Sequence, residues 1–302
     1  MPLLEPEFLS RLEQLRLVSR SRASGRLPGV RPSRRTGSSI ELADHREYQP
    51  GDDLRYVDWQ AYARLGRLFV KLWMAEEDLV VTIIVDASAS MACGQPTKLE
   101  RAKQLAAACG FIALTGGDQL RLAVLAGRAQ EKIFLSPLLR GRAEALWLFR
   151  KLEELLAGGR ADLEQDLSFV AASLPHPGGL SILLTDGLDP AGPGALAKGL
   201  RALHGAHQEI VFLQLLSPSE LRPNNQGEYR FLDAEGGPAV ELALTRSVLQ
   251  LYQVELEQWL QEIQTSSRQL GADHLLVDTQ LPWQQAVWQG LHSLRRLQLR
   301  PD

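Results

Sequence analysis

Residues 79–91 read LVVTIIVDASASM, and this stretch decides the fold. Residues 79–85 are apolar or Thr and mostly β-branched, and the run stops at Asp86. A continuous apolar run of this length, bounded by a polar turn, reads as a parallel strand buried on both faces. A helical pattern follows over residues 98–116. Asp86, Ser88 and Ser90 are therefore placed on the loop leaving the carboxyl end of a central strand, where ligands bind in open α/β sheets.

One carboxylate and two hydroxyls at alternate positions offer three hard oxygens from one short loop. Such donors suit Mg²⁺ or Mn²⁺, hard ions that Mg²⁺-type sites hold through few protein ligands and several waters. A single carboxylate leaves the ion under-neutralised, so a second acid is expected from elsewhere in the chain or from a partner. The plain alternative is that Asp86 and the serines cap a helix or tighten a turn. Their position directly after a buried strand favours binding.

Working outward, the helix at 98–116 is apolar almost all round, as a helix covered by a sheet must be. Strands are predicted at 120–126, 131–135 (a short edge partner), 180–184 and 209–216. Helices are predicted at 142–156, 162–174 and 193–205. This alternation is the signature of an α/β fold with a doubly wound, mostly parallel sheet. Asp186 follows LSILL as Asp86 follows VTIIV, so two carboxylates at the ends of two parallel strands can converge on one point. Asp189 is a less direct candidate, and Asp162 is a candidate ligand or helix cap.

The composition of the 302 residues is that of a globular protein, 45% apolar and 23% charged. A net charge of −3 gives no electrostatic case for nucleic acid. Charge is uneven, with eight Arg and three Glu in residues 1–40, a segment whose plain reading is a solvated basic stretch. Cys93 and Cys109 suggest no disulfide framework. MPLLEPEFL lacks the pattern of a signal peptide, and no apolar run reaches a membrane span of about 18 residues. A soluble, cytoplasmic protein is expected.

The expected organisation begins with an amphipathic helix in residues 1–24. An accessory β-rich segment follows at 25–77. The main domain spans 78–216, an accessory hairpin 217–244, and C-terminal helices with one strand (245–302) complete the main domain. Residues 25–77 and 217–244 both interrupt the strand–helix alternation, so they are expected to form one accessory part. Within 40–59, Asp52, Asp53 and Asp58 could form a metal or catalytic site. The interleaved Arg46, Arg55 and Arg64 favour a structural ion-pair network instead.

Asp86-x-Ser88-x-Ser90, a glycine-rich loop before a helix, and a later strand ending Thr185-Asp186-Gly187 resemble the von Willebrand factor A fold. In that fold these loops form the metal-ion-dependent adhesion site. The resemblance assigns Asp86, Ser88, Ser90 and Asp186 to the metal. The family's further Thr ligand, in a loop like GGTDL, aligns with Ala161 in GGRADL, with Arg160 beside it. A second resemblance covers nearly the whole chain. Arg46, Tyr48, Gly51, Asp52, Asp53, Arg55, Asp58 and Trp59, followed by DASASM, LSPSE and FLDAEG, resemble a bacterial family named domain of unknown function 58. It implies an adaptor or scaffold working with MoxR-type AAA+ ATPases in chaperone-like maturation of protein complexes.

The functional expectation is a non-enzymatic protein-binding module, its metal leaving a coordination position for a partner's Asp or Glu. A metal-free scaffold is one alternative. A Mg²⁺-dependent phosphohydrolase using Asp86 is another, but related strand-end sites carry D-x-D, and here Ser88 replaces the second acid. No G-x-x-x-x-G-K-[ST] or G-x-S-x-G motif supports nucleotide or ester hydrolysis.

Overall fold

In the computed structural model, which describes residues 3–19, 41–50, 52, 54, 57–74, 79–126, 133–174, 178–223 and 226–300, the N-terminal segment is helical only in its first half. Helix α1 (Pro6–Leu12) starts with proline in its first turn, where no N–H is needed. Strand β1 (Leu15–Leu17) then alternates buried, exposed, buried. It pairs antiparallel with β13 (Leu297–Leu299) at the far end of the chain. The expected single helix is thus corrected. Leu15 and Leu17 have period two, and their partner strand is beyond any local reading of sequence. Phe8, Leu12, Leu15 and Leu17 all join the core of the main unit.

The chain divides into two units, Arg20–Asp78 and a larger one of Met1–Ser19 with Leu79–Asp302. In the first, β2 (Glu41–Glu47) pairs antiparallel with β3 (Phe69–Met74), and α2 (Trp59–Leu65) lies between them in sequence. The Asp58 carboxylate accepts the N–H groups of Gln60 and Ala61 and so caps α2, while Gly66 ends the helix at φ 66°. Asp52 accepts the Gln49 N–H at 2.8 Å, closing a turn. Two of the three clustered carboxylates therefore do structural work. Asp53, Arg55 and the Arg46 side chain lie outside the described residues.

The larger unit is built on a seven-stranded sheet. In chain order it contains β4 (Val80–Asp86), α3 (Lys98–Thr115), β5 (Gln119–Leu125), β6 (Phe134–Leu135) and β7 (Leu139–Arg140). Next come α4 (Glu144–Glu153), α5 (Leu163–Ala172), β8 (Gly179–Thr185), α6 (Pro193–Gly205) and β9 (Gln208–Leu216). The chain closes with α7 (Pro218–Leu221), β10 (Gly227–Phe231), β11 (Val240–Leu244), α8 (Arg246–Gln269), β12 (Asp273–Asp278), α9 (Trp283–Gln285) and β13. The strand order is β12-β9-β8-β4-β5-β6, with β7 also on β5. Strands β12, β9, β8, β4 and β5 are parallel, and β6 and β7 run antiparallel to β5.

Successive residues of β4 point to opposite faces, and each face has its own core. Val81, Ile83 and Val85 pack with α3, α4 and the N-terminal elements, whereas Ile84 packs with α5, α6 and α8. This is the doubly wound sheet that the alternation predicts, with β4 at its centre. Helices α5 and α6 approach so closely that a Cβ on Gly199 would sit 2.5 Å from the Leu163 carbonyl oxygen.

Two further expectations are corrected. The closing helix is shorter than residues 283–297, since α9 runs into a π-helical turn (Ala286–Leu291) and Arg295 (φ 57°) redirects the chain into β13. The next residue, Arg296, is fully buried and ion-paired with Glu209 and, at 2.6 Å, with Asp273, which fixes the redirection. The hairpin β10–β11 belongs to the larger unit, not to an accessory part shared with residues 25–77. Its root, α7, is tied to α3 through Glu220 and Lys98. No helix among the described residues is long and apolar enough to cross a membrane.

Candidate functional site

Asp86 ends β4, and Asp186 follows Thr185 at the end of the neighbouring strand β8. The pairing of Val85 with Leu184 brings the two strand ends to one edge of the sheet. Asp86 is buried; one of its oxygens accepts the Ser88 N–H at 2.8 Å and the other accepts the Thr185 hydroxyl at 2.6 Å. The hydroxyl oxygens of Ser88 and Ser90 lie 3.1 Å apart. A single 3₁₀ turn (Ala89–Ala92) carries Ser90, and its Met91 side chain is buried as an anchor. Burial, and then the nearby Asp186 carboxylate, push the Asp86 carboxyl up to about 6, although its hydrogen bonds to Thr185 and Ser88 favour the ionised form.

The glycine-rich loop is stitched to this turn. Gly158 donates to the Ala87 carbonyl at 2.9 Å, and Ala89 donates to the Gly159 carbonyl at 3.0 Å. Ala161 is buried and brings no oxygen to the site. Asp162 caps α5 by accepting the Gln165 N–H at 2.9 Å. Asp189 accepts the N–H groups of Leu163 and Ala191, at 2.9 and 2.8 Å, and so ties the start of α5 to the loop after β8. Asp162 and Asp189 therefore shape the loops.

Asp186 has a partner that sequence reasoning missed. Lys98, the first residue of α3, places its ammonium 2.7 Å from Asp186 and 2.5 Å from Glu220. Both the Lys98 and Asp186 side chains are fully buried. Burial alone would lower the Lys98 pKa, but Asp186 and Glu220 more than offset it, so it is raised and the ammonium stays charged. The other Asp186 oxygen accepts the Leu188 N–H at 2.9 Å. Glu220 is held in turn by the N–H and hydroxyl of Ser217, each at 2.7 Å. The sequence signals were a cation at the first position of a largely apolar helix and the S-x-x-E of a capping box.

A second missed residue is Glu235, at the tip of the β10–β11 hairpin. Its side chain is 12% exposed and lies 3.7 Å from Arg160 of the glycine-rich loop. Its carboxyl is pushed up to about 7, first by burial, then by the negative charges of Asp86, Asp186 and Asp233, with Arg160 opposing. Beside the site, an apolar cleft of about 300 Å³ is lined by Leu188, Leu216, Glu220, Tyr252, Leu256 and Trp259.

The donor set fits a hard cation at Asp86, Ser88 and Ser90. Two neighbouring hydroxyls stand beside a buried carboxylate whose charge is under-compensated. Asp186 fits as an outer charge, since Lys98 already neutralises it. Among the described residues, no three His, Cys, Asp or Glu side chains gather as a metal centre. Any cation here depends on hydroxyl ligands.

A mostly parallel, doubly wound sheet carries the DxSxS loop at the carboxyl end of its central strand, the α/β architecture expected from the sequence. The chain belongs to the family described as protein of unknown function DUF58, whose model matches residues 44–258. It is 26% identical over 297 residues to "Uncharacterized protein Rv1480" of Mycobacterium tuberculosis (strain ATCC 25618 / H37Rv), covering 97% of this chain and 91% of that one. The same figures hold for "Uncharacterized protein Mb1516" of Mycobacterium bovis (strain ATCC BAA-935 / AF2122/97). Among solved structures, conserved hypothetical protein BatB from Bacteroides thetaiotaomicron is 20% identical, with a TM-score of 0.46 over 72% of this chain and 98% of that one. A von Willebrand factor type A protein from Catenulispora acidiphila is 21% identical, with a TM-score of 0.38 over 49% of this chain and 35% of that one.

Proposed function

We propose that the chain is a non-enzymatic adaptor that binds an acidic segment of a protein partner at the Asp86–Ser88–Ser90 loop, with Asp186 as an outer charge. The observation that carries this reading is the pair of serine hydroxyls, 3.1 Å apart, in the same turn as the buried Asp86 carboxylate. When bound, a Mg²⁺ or Mn²⁺ ion would supply an electropositive anchor for a partner's carboxylate. The protein's own groups do the rest. Thr185 and the Ser88 N–H orient Asp86, Met91 anchors the turn, and the Gly158–Ala87 and Ala89–Gly159 hydrogen bonds hold the loops in register. The adjacent cleft would take an apolar side chain of the same segment. The partner class suggested by the family resemblance is a MoxR-type AAA+ ATPase.

The test is binding between this chain and a MoxR-type ATPase of the same genome, followed by fluorescence anisotropy with Mg²⁺ and with chelator. The expected result is Mg²⁺-dependent binding that Asp86→Asn abolishes without unfolding the chain. Equal binding by both proteins in both buffers would refute it.

The ion pair of Lys98 with Asp186, together with the apolar Ala161, favours a second reading, a scaffold that needs no metal. In that case Lys98 supplies the positive charge permanently, and partner binding is indifferent to chelator. Phosphohydrolase chemistry has less support, since the residue two past Asp86 is a serine. Turnover of a generic phosphate ester that is lost in Asp86→Asn would establish it.

A further inference from the structure

The hairpin β10–β11 is exposed almost throughout, with Tyr229, Phe231, Leu232, Val240 and Leu242 all open to solvent. Within residues 226–243, Glu235 alone is not classed as exposed. A built turn presents it. Asp233 accepts the N–H groups of Glu235 and Gly237, at 2.8 and 3.1 Å, and its carbonyl accepts the Gly236 N–H at 3.2 Å. Gly236 sits at φ 90°, which favours glycine, and a Cβ on Gly237 would lie 2.1 Å from the Asp233 carboxylate and displace it.

The turn aims Glu235 at the site by a traceable route. Glu235 meets Arg160, and the two residues before Arg160 are bonded to Ala87 and Ala89, which alternate with Asp86, Ser88 and Ser90. The acidic side chain is largely withdrawn from solvent and pairs with the Arg160 guanidinium at 3.7 Å. Arg160, whose two preceding residues are bonded to the DxSxS turn, is thus a cation that receives a carboxylate at the edge of the site.

We propose that Glu235 is an internal occupant of the partner site: the hairpin tip covers the Asp86–Ser90 loop, and an acidic side chain of a partner binds by displacing it. This inference rests on reading that loop as the partner site. The hairpin then acts as a strap over the loop. No bond is made or broken; one carboxylate exchanges for another against the same groups.

The test compares wild type with Glu235→Gln and Arg160→Ala by hydrogen exchange, in chelator, followed by calorimetric titration with Mn²⁺. Arg160 is an exposed loop position and Glu235→Gln keeps the side chain's shape, and circular dichroism checks that both variants fold. The amides of Ser88, Ala89 and Gly158 are expected to exchange about five- to tenfold faster in both variants, because the cover is gone. Unchanged exchange at these amides in both variants overturns the inference, whatever the metal result. Faster exchange with no Mn²⁺ binding by any of the three proteins supports the strap and removes the metal from the proposed function. Faster exchange with Mn²⁺ binding supports both.

Discussion

The ammonium of Lys98 lies 2.7 Å from the carboxylate of Asp186, and solvent reaches neither side chain. A buried pair of this kind offers little net stability over an apolar replacement of both partners, yet losing one partner strands a charge. Here the stranded charge would be double, since Lys98 also holds Glu220 at 2.5 Å. Lys98→Met is therefore expected to destabilise the chain by about 3 kcal/mol. Urea unfolding measures this loss, and saturating Mg²⁺ should restore more stability to the variant than it adds to wild type. Unchanged stability of Lys98→Met would show that the pair does not hold the loops together.

Ala161 is the position where the loop departs from the sequence of the family it resembles. If the resemblance holds at this position, the hydroxyl of Ala161→Thr joins the cation's ligands, and Mg²⁺ affinity is expected to rise about tenfold, or ~1.4 kcal/mol. The site is tightly packed, with Ala161 4% exposed, so a cost in folding stability of about 1 kcal/mol is expected as well. Calorimetry and thermal unfolding separate the two effects. A variant with unchanged Mg²⁺ affinity would mean that the side chain of residue 161 does not face the cation position.

A pH dependence follows from His274. Its Nε2 meets the Gln214 side chain at 2.9 Å, its ring stacks on Phe212, and Gln214 reaches on to the Asp186 carbonyl at 3.0 Å. Burial, and then the charge of Arg268, push its pKa down to about 4. The unfolded chain therefore binds the proton more readily, and the stability contributed is full above about pH 6.5 and lost as pH falls towards 4. His274→Phe should remove about 2 kcal/mol of that pH dependence. The measurement is the difference in unfolding free energy between wild type and variant from pH 7.5 to 4.5, which cancels the opposite trend from Asp86. Parallel curves for the two proteins would refute the assignment.

The main sheet was legible because its strands are buried on both faces and so read as unbroken apolar runs. VTIIV and LSILL located β4 and β8 and, with them, Asp86 and Asp186. GGRADL located the second loop, and the observed hydrogen bonds stitch it to the first. What stayed hidden depends on distance along the chain. Leu15 and Leu17 belong to a strand only because residues 297–299 pair with them. Lys98 reads as an ordinary first-turn residue until folding brings Asp186 and Glu220 to it from the two sides of β9 in sequence. Glu235 sits in a polar turn motif whose local reading ends at the hairpin, and only the ion pair with Arg160 connects it to the site. Residue type and period fix elements, whereas charge pairing across elements has no local signature.

The central claim is that the DxSxS loop holds a divalent cation for an acidic partner. Calorimetric titration of the chelator-treated chain with Mg²⁺ and Mn²⁺, beside the double variant Ser88→Ala, Ser90→Ala, tests it most directly. The account predicts saturable binding to wild type at a stoichiometry of about one, lost in the double variant while its thermal unfolding stays cooperative. No binding to the wild-type chain, or equal binding to both proteins, would contradict it and leave the Lys98 ammonium as the cation that faces Asp186.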